Sequence, residues 1–339
     1  MRTSRLLLNA TFNTIIESKE ARRKERLLEI YSIYNSLSPE EKVKKAFSGE
    51  MWLGATNIFK DEQPLANIYH LGYLDSLSTS IVPQLSKNHA IWANYRLSNT
   101  HHSTSIEGNT LSQKDCEILF DSFGTYSSEQ LMGVSQQDFS QILQKEATTR
   151  ECLEVLFHHH AFQYISKLEE QPLSHFNENQ LLNIHTELFG KSKCYCNVEG
   201  FMESNYRLIP IRVKGSETVR PYPQEVPQIM KQYFEWFHLN RERVDNGILH
   251  PALFSILAHC KFLHIHPFLD GNGRTARLLM NMILNRYGLF DITVQKKCRT
   301  KYLELLEEHQ NGLTEPFHNF MVQQIIQTIK TVSKHAIVY

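Results

Sequence analysis

HIHPFLDGNGRTARLL, residues 264–279, is the stretch of this 339-residue chain that constrains its fold and chemistry most. It follows the apolar run PALFSILAHCKFLHI, which begins at Pro251, and helical sequence resumes after Gly273. Pro267 predicts the end of the first helix, because a residue that precedes proline is displaced from helical backbone geometry. We therefore expect a loop between two buried helices.

The predicted start of the second helix offers a site for phosphate. Backbone N–H groups at a helix start have no intrahelical acceptor, and the glycines on either side of Asn272 allow close approach of an anion. Arg274 and Arg277 are three residues apart on one helical face and suit bidentate contacts with phosphate. Asp270 offers a carboxylate for Mg²⁺, and the imidazole of His266 suits a general base.

Most of the remaining chain has helical periodicity, so the fold class is mainly α. Helices are predicted over residues 90–107, 112–123, 139–168, 177–188, 223–240, 251–265, 274–287, 301–308 and 315–333. One segment differs: RLIPIRVKGSETVRPYP, residues 207–223, alternates apolar residues and contains a Lys-Gly-Ser turn signal. This pattern predicts a β-hairpin that leans on the helices.

The chain is predicted to divide into an N-terminal helical region, residues 1–85, and a main domain, residues 86–339. In the first region Ser38, Pro39 and Glu41 have the pattern of an N-cap, a first-turn proline and a capping box. This pattern predicts a helical hairpin.

Composition argues against several classes of function. Lysine plus arginine and aspartate plus glutamate each number 36, so no basic excess indicates a nucleic acid as partner. No apolar run approaches the roughly 20 residues of a membrane span, and no secretion signal is evident, so we expect a cytoplasmic protein. The six cysteines lack zinc or disulfide spacing and are interpreted as free thiols. His158, His159 and His160 face different directions on a helix and do not indicate a metal site.

The string from His266 to Arg277 resembles the complete signature of Fic domains, enzymes that typically transfer AMP from ATP to a protein hydroxyl. The resemblance spans roughly residues 90–333. Within it, the sequence is similar above all to the class that includes the metazoan Fic enzymes. It implies the Fic fold, a helical bundle with a small β-hairpin flap beside the active site. It also implies ATP as co-substrate, Mg²⁺ as metal, and a target protein with a Ser, Thr or Tyr hydroxyl; a second copy of the chain is a further partner to consider.

The resemblance also assigns roles to single residues. His266 would deprotonate the target hydroxyl, and Asp270 would bind Mg²⁺. The residues that would bind the nucleotide are Gly271, Asn272, Gly273, Arg274, Arg277 and Tyr302. Among them, the Gly-Asn-Gly turn would cradle the α- and β-phosphates, the arginines would hold the β- and γ-phosphates, and the tyrosine would stack on adenine. The flap that would dock the target's backbone comprises Arg207, Leu208, Ile209, Pro210, Ile211, Arg212 and Val213.

A second motif, STSIEGN, residues 103–109, lies at the end of a predicted helix. A carboxylate in the last turn of a helix is unfavourable, so Glu107 calls for a cationic partner. Ser103, Glu107 and Gly108 match the autoinhibitory motif of Fic domains. The resemblance implies that Glu107 pairs with Arg277 and occupies the space of the γ-phosphate.

Alternatives remain open on the sequence alone. The aromatic pair of relatives is reduced here to Tyr302 followed by Leu303, which affects the adenine pocket. The same site also suits removal of AMP, or transfer from another phosphate-containing donor such as a different nucleotide or a phosphocholine donor. In a third interpretation the domain is a non-catalytic interaction module, against which the unbroken motif counts.

Overall fold

The computed structural model describes residues 36–38, 41, 59, 66–85, 88–190, 205–216, 218 and 220–336. In these ranges the fold is helical, with irregular connections and no strand. The α-helices are α1 (Ile68–Ser80), α2 (Val82–Leu85), α3 (His89–Ile106), α4 (Gln113–Phe123), α5 (Ser128–Met132), α6 (Gln136–Leu143), α7 (Thr149–Leu168), α8 (Glu178–Glu187), α9 (Val226–Asp245), α10 (Pro251–Ile265), α11 (Asn272–Arg286), α12 (Arg299–Gln310) and α13 (Glu315–Ala336). Short 3₁₀ turns span Leu173–His175 and Lys296–Cys298.

The centre of the fold is the pair α10 and α11, which pack against each other more extensively than any other two described elements. Almost every residue of α10 is buried, because α9, α12 and α13 also contact this helix. A helix that is covered on all sides has no polar face, which explains the uniformly apolar sequence after Pro251. The loop between residues 266 and 271 is therefore anchored at both ends by this pair.

The long helix α7 connects this central pair to the N-terminal half of the described fold. It packs against α3, α4, α8 and α11, and most of its residues from Cys152 to Phe162 are buried. Three of those buried residues are polar, Glu154, His158 and His160, and the first two bond residues of other segments. As a result α7 presents polar groups to α3, which carries the STSIEGN motif, and to α11.

The predicted helix over residues 139–168 is wrong, because the chain forms two helices there. α6 ends at Leu143, and Gln144 adopts a left-handed conformation with φ 52°. Thr148 then caps α7 by accepting a hydrogen bond from the backbone N–H of Glu151. A Thr-x-x-Glu pattern is the ordinary sequence signal of a new helix, so this break was readable.

The predicted β-hairpin is not confirmed. Residues 205–216 form no strand, although the Lys-Gly-Ser turn is present, with Gly215 at φ 82° and the N–H of Ser216 bonded to the carbonyl of Val213. In the outgoing arm, the N–H and hydroxyl of Thr218 both donate to Oε1 of Glu307 in helix α12, and the two arms meet through Nη2 of Arg207, which donates to the carbonyl of Pro221. The Glu307 carboxylate thus accepts from the Thr218 N–H, which a strand ladder would have bonded to a backbone carbonyl.

The N-terminal predictions lie mostly outside the described residues. The capping box is confirmed, since Ser38 and Glu41 exchange backbone-to-side-chain bonds of 2.9 and 3.2 Å, but the helical hairpin falls outside the described residues. α1 and α2 pack against α13, and the domain boundary after residue 85 stays a prediction. No helix in the described ranges has the length and apolarity to cross a bilayer.

The cysteine interpretation is confirmed for four of the six residues. Cys116, Cys152 and Cys260 are buried free thiols, and Cys298 is a half-buried one. Cys194 and Cys196 lie outside the described residues.

Candidate functional site

The signature string forms a tight loop between α10 and α11, as the sequence predicts. His266 caps α10 with a left-handed backbone, φ 53°, and Gly271 precedes α11 with φ 79°. Asn272 braces the loop from inside: its side-chain Oδ1 accepts from the N–H of Phe268 at 2.9 Å, and its Nδ2 donates to the carbonyl of Phe268 at 2.8 Å. The side chain predicted to touch phosphate therefore holds the loop closed.

The loop rests on aromatic side chains from α8 and its C-terminal end. The ring of His185 stacks on Phe268 at 3.7 Å between centroids, and its Nε2 bonds the carbonyl of Asp270 at 3.0 Å. A Cβ at Gly271 would lie 2.6 Å from a ring carbon of Phe189. Glycine is thus required at position 271 by both backbone conformation and packing.

His266 is fixed by its backbone and by one side-chain contact. Its N–H donates to the carbonyl of Phe262 at 2.9 Å, and its own carbonyl accepts from Nε of Arg207 at 2.9 Å. Nδ1 lies 3.4 Å from the carbonyl of Leu263, which can only accept, so Nδ1 carries the proton and Nε2 is the basic nitrogen. Burial, with Arg220 and Arg207 nearby, lowers the pKa of His266 well below its ordinary value. The ring is consequently neutral at neutral pH.

A cleft of about 420 Å³ opens over this loop. Its lining includes His266, the run Leu269 to Gly273, Glu107, and the run Pro210 to Val213. The imidazole, the start of α11 and the STSIEGN carboxylate therefore share one cavity. Because the first backbone N–H groups of a helix lack intrahelical acceptors, this end of the cleft favours an anion.

Asp270 stands at the edge of the cleft with one oxygen committed to the loop. Oδ1 accepts from the N–H of Gly271 at 2.6 Å and lies 3.4 Å from Nη2 of Arg274, while Oδ2 is 3.6 Å from Arg150. Burial alone would raise the pKa of this carboxyl, but Arg274, the Gly271 N–H and Arg150 together lower it. Asp270 is therefore an ionised oxygen donor.

Such a donor fits the Mg²⁺ that the sequence implies. Mg²⁺ is usually bound by one or two carboxylates together with substrate phosphates and water. Asp270 supplies one carboxylate next to an anion-favouring helix start. Within the described ranges no group of three or more His, Cys, Asp and Glu residues forms a protein-only metal site.

The expected contact between Glu107 and Arg277 is present. Nη2 of Arg277 lies 2.8 Å from Oε1 of Glu107 and also donates to the carbonyl of Ser103 at 2.8 Å; Nε donates to the Ser103 hydroxyl at 3.0 Å. A Cβ placed on Gly273 would collide with Oε1 of Glu107, so the carboxylate lies directly on the first turn of α11. Glu107 thus occupies the anion-favouring end of the cleft.

The second arginine of the motif lies deeper. Arg274 is 2% exposed; its Nη1 pairs with Oε1 of Glu154 at 2.6 Å, and its guanidinium lies 5.2 Å from the centre of the Phe189 ring. It is absent from the cleft lining, unlike Glu107 and Gly273. Its contact with phosphate stays a prediction.

Tyr302 is also buried, at 1% exposure. Its hydroxyl lies 2.8 Å from Nε2 of His259, and its ring is 5.8 Å from that of Phe317. Burial raises the pKa of Tyr302 above its ordinary value. Since the ring packs within the core, stacking on adenine stays a prediction and requires this region to open.

The predicted flap divides into a brace and a cleft wall. Arg207 is buried and bonds the carbonyls of His266 and Ile209, which ties the segment to the loop between α10 and α11. Leu208 is 64% exposed, and Pro210 to Val213 line the cleft. The segment therefore borders the site without a strand.

Sequence reasoning missed three polar residues near the site. Glu154 pairs with Arg274, and Asn109, the last residue of the STSIEGN motif, donates to Oε2 of Glu154 at 2.8 Å. His158 is buried and its Nδ1 lies 3.0 Å from the hydroxyl of Thr100. Burial and the nearby guanidiniums of both motif arginines lower the pKa of His158. Only the Asn109 position within the motif gave a readable signal.

Comparisons with known proteins agree with this geometry. Residues 175–284 match the model of the Fic/DOC family. A protein adenylyltransferase Fic from Culex quinquefasciatus is 29% identical over 229 residues, 68% of this chain and 40% of that protein. One of the same name from Nematostella vectensis is 28% identical over 239 residues, 70% of this chain and 49% of that protein. The chain thus spans less than half of the length of these curated relatives.

Solved structures show the same fold. A Fic domain containing signaling protein from Bacteroides thetaiotaomicron aligns with a TM-score of 0.60 and 23% identity, covering 78% of this chain and 95% of that one. Fic-1 from C. elegans aligns with a TM-score of 0.60 and 22% identity, covering 78% of this chain and 71% of that one. The loop and the helical architecture agree with this match: residues 175–284 of the chain match the Fic/DOC family, and solved Fic structures share the surrounding fold.

Proposed function

We propose that this chain is a protein adenylyltransferase that transfers AMP from ATP to a hydroxyl side chain of a target protein. The observation that carries the proposal is that the basic nitrogen of His266 and the anion-favouring start of α11 belong to one cleft. The curated relatives that the chain resembles are named protein adenylyltransferase Fic, which supports the same activity. The chemistry requires a base beside a bound polyphosphate, and this cleft contains the base and an anion-favouring helix start for the phosphates.

The reaction begins at the imidazole. Neutral His266 takes the proton of the target hydroxyl on Nε2, and the oxygen forms a bond to the α-phosphorus of ATP. The bond from that phosphorus to the bridging oxygen of the β-phosphate breaks, and pyrophosphate leaves with the electron pair. The imidazolium then returns its proton to solvent. The depressed pKa keeps the ring in its proton-accepting form at neutral pH.

Charge in the cleft orients the nucleotide. Backbone N–H groups of the first turn of α11 and the guanidinium of Arg277 would hold the phosphates, because donors fixed before the reaction lower the cost of developing charge. Asp270, together with the phosphates, would hold a Mg²⁺ ion that offsets charge on the pyrophosphate. Asn272 acts through the backbone it braces, since both ends of its amide bond Phe268.

Glu107 restrains this site in the resting chain. Its carboxylate takes one nitrogen of Arg277 and covers the first turn of α11, where a terminal phosphate would bind. Arg277 is 7% exposed and Glu107 35% exposed, so the pair is partly shielded from water and stronger than a surface pair. A restraint of a few kcal/mol is sufficient to keep most molecules in the closed state, since about 5.5 kcal/mol would change the ratio of closed to open molecules from 1:99 to 99:1.

The target protein would dock along the segment from Arg207 to Val213. This segment has irregular, strand-free backbone, its Leu208 and Ile209 are exposed, and its far end lines the cleft. An extended peptide of the target can pair with such a backbone edge and bring its hydroxyl to His266.

A second reaction at the same site is removal of AMP from a modified protein. Glu107 lines the cleft that contains His266, so its carboxylate can orient water toward the phosphorus of the adenylylated side chain. Water attack would give AMP and restore the free hydroxyl. Transfer from another phosphate-containing donor would use the same side chains of the cleft and would differ in which donor molecule the cleft binds.

The proposal is tested by releasing the restraint. With labelled ATP and Mg²⁺ we expect little self-labelling of the native chain and much more for Glu107→Gly, because Arg277 and the α11 start become available to the triphosphate. The label is measured on protein after denaturing electrophoresis.

The control variant combines Glu107→Gly with His266→Ala and should carry no label, although calorimetry should still show that it binds ATP. If Glu107→Gly binds ATP and labels neither itself nor added protein, the transferase proposal fails. If UTP outcompetes ATP, the nucleotide assignment is wrong.

A further inference from the structure

Helix α7 contacts both helix α11 and the end of the STSIEGN segment through one side chain. Glu154 is 10% exposed; its Oε1 pairs with Nη1 of Arg274 at 2.6 Å, and its Oε2 accepts from Nδ2 of Asn109 at 2.8 Å. Asn109 also donates to the backbone carbonyl of Glu151. Each carboxylate oxygen of Glu154 thus binds a different functional segment.

Arg274 pairs more closely with Glu154 than with Asp270, so the orientation of its guanidinium depends mainly on Glu154. Its second acidic neighbour, Asp270, is farther away at 3.4 Å and is 35% exposed, whereas Glu154 is almost fully buried. The guanidinium also lies over the Phe189 ring, which restricts its plane. A buried guanidinium that loses its close carboxylate has either to reorient or to recruit water.

We propose that Glu154 is a positioning residue for the nucleotide: it holds the charge of Arg274 beneath the phosphate end of the cleft. Through Asn109 it also fixes the end of the STSIEGN segment relative to that charge. The proposal rests on the proposed function only in taking ATP as the ligand. Glu154 acts through Arg274 and touches no substrate.

The chain offers a matched control one turn earlier on α7. Glu151 anchors the same loop, since its Oε1 accepts from the N–H and the hydroxyl of Thr110 at 3.0 and 2.6 Å. Its Oε2 accepts from the Thr148 hydroxyl, so both carboxylate oxygens of Glu151 are bonded to residues other than Arg274. Loss of the Glu151 charge therefore reports the anchoring of Thr110 and Thr148 and removes no ion pair of Arg274.

The experiment compares Glu154→Gln and Glu151→Gln, each combined with Glu107→Gly so that the restraint is absent. Calorimetry with Mg²⁺ and ATP should show binding weakened about tenfold by Glu154→Gln and less than about twofold by Glu151→Gln. KM for ATP should rise in the same proportion, with kcat changed less than about threefold, because positioning a binding charge affects both ground and transition states.

A double-mutant comparison separates positioning from general damage. Once Arg274→Gln is present, adding Glu154→Gln should weaken ATP binding no further. Additive losses, or equal losses in the Glu151→Gln variant, would show that Glu154 only supports the fold. Tighter ATP binding by Glu154→Gln would show that Glu154 withholds Arg274, and would overturn the proposal.

The two proposals fail differently. If the released chain binds ATP but transfers no label, the transferase proposal fails, and the ATP-binding comparison still decides the role of Glu154. If label is transferred normally and Glu154→Gln behaves like Glu151→Gln, the positioning role alone is wrong. Cooperative thermal unfolding of each variant, monitored by circular dichroism, confirms that the compared chains are folded.

Discussion

At the scale of the residue, the pKa of His266 determines how far the pH can be lowered before the general base becomes protonated. Its pKa is well below the ordinary value near 6.5 because the ring is buried and faces Arg220 and Arg207. A general base works when neutral, so lowering the pH from 7.5 to 6.5 should leave the His266 ring unprotonated. Titration of this ring by NMR in the apo chain is expected to give a midpoint below 6.5. A midpoint at or above 6.5 would contradict the burial argument.

Ser103 offers a graded test of the restraint. Its hydroxyl accepts from Nε of Arg277, but its backbone carbonyl also accepts from Nη2, and Glu107 remains paired. Ser103→Ala removes one of these three bonds, so we expect self-labelling between that of the native chain and that of Glu107→Gly. An increase equal to that of Glu107→Gly would show that the hydroxyl, rather than the carboxylate, maintains the closed state.

At the scale of the element, Gly271 and Gly288 lie at the two ends of α11. Comparing substitutions at these glycines separates the cost of backbone strain from the cost of side-chain overpacking. Both have a left-handed backbone, φ 79° and 72°, but a Cβ at 271 meets the Phe189 ring, whereas a Cβ at 288 meets nothing within 4 Å. Alanine at either position should cost about 1–3 kcal/mol through backbone strain, and Gly271→Ala should cost about 1–3 kcal/mol more through overpacking. Urea unfolding measures both. Equal losses would remove the packing argument.

The elements around the site were predictable where local signals agree. Pro251, Pro267 and Gly288 mark the ends of α10 and α11, and the unbroken signature fixed the loop between them. The contact of Glu107 with Arg277 is confirmed, although they are 170 positions apart, because a family pattern supplied the pairing.

Other features depend on tertiary contacts that a local pattern does not contain. The hairpin prediction relied on alternation, but Glu307 of α12 binds the outgoing arm at Thr218. Glu154 gave no sign of its role because its partners Asn109 and Arg274 come from other segments. The inhibitory, catalytic and metal roles assigned to single residues stay predictions until they are measured.

At the scale of the whole molecule, buried histidines link stability to pH. Eleven described histidines have a lowered pKa, chiefly because burial disfavours the charged ring. Below about pH 6.5 the unfolded chain binds protons that the folded chain does not bind. The free energy of unfolding therefore decreases as the pH is lowered. Three buried carboxyls with a raised pKa act in the opposite sense: Glu169, Glu225 and Asp291.

Because the histidines outnumber these carboxyls, we expect stability to fall between pH 6.5 and 5.5 by more than about 1.4 kcal/mol, the contribution of one proton per pH unit. Urea unfolding at the two pH values gives the difference. Equal or greater stability at pH 5.5 would show that the buried carboxyls dominate.

The central claim is that the cleft breaks the bond between the α- and β-phosphates of ATP and keeps the α-phosphate on protein. Glu107→Gly should be incubated with Mg²⁺ and ATP labelled in either the α- or the γ-phosphate, in the presence of a cell extract as a source of targets. We predict that the α-label becomes attached to protein and the γ-label is released as pyrophosphate. The baseline is the same extract with Glu107→Gly combined with His266→Ala, since kinases in the extract also transfer γ-label. An α-label no higher than this baseline, or a γ-label on protein above it, would contradict adenylyl transfer at this site.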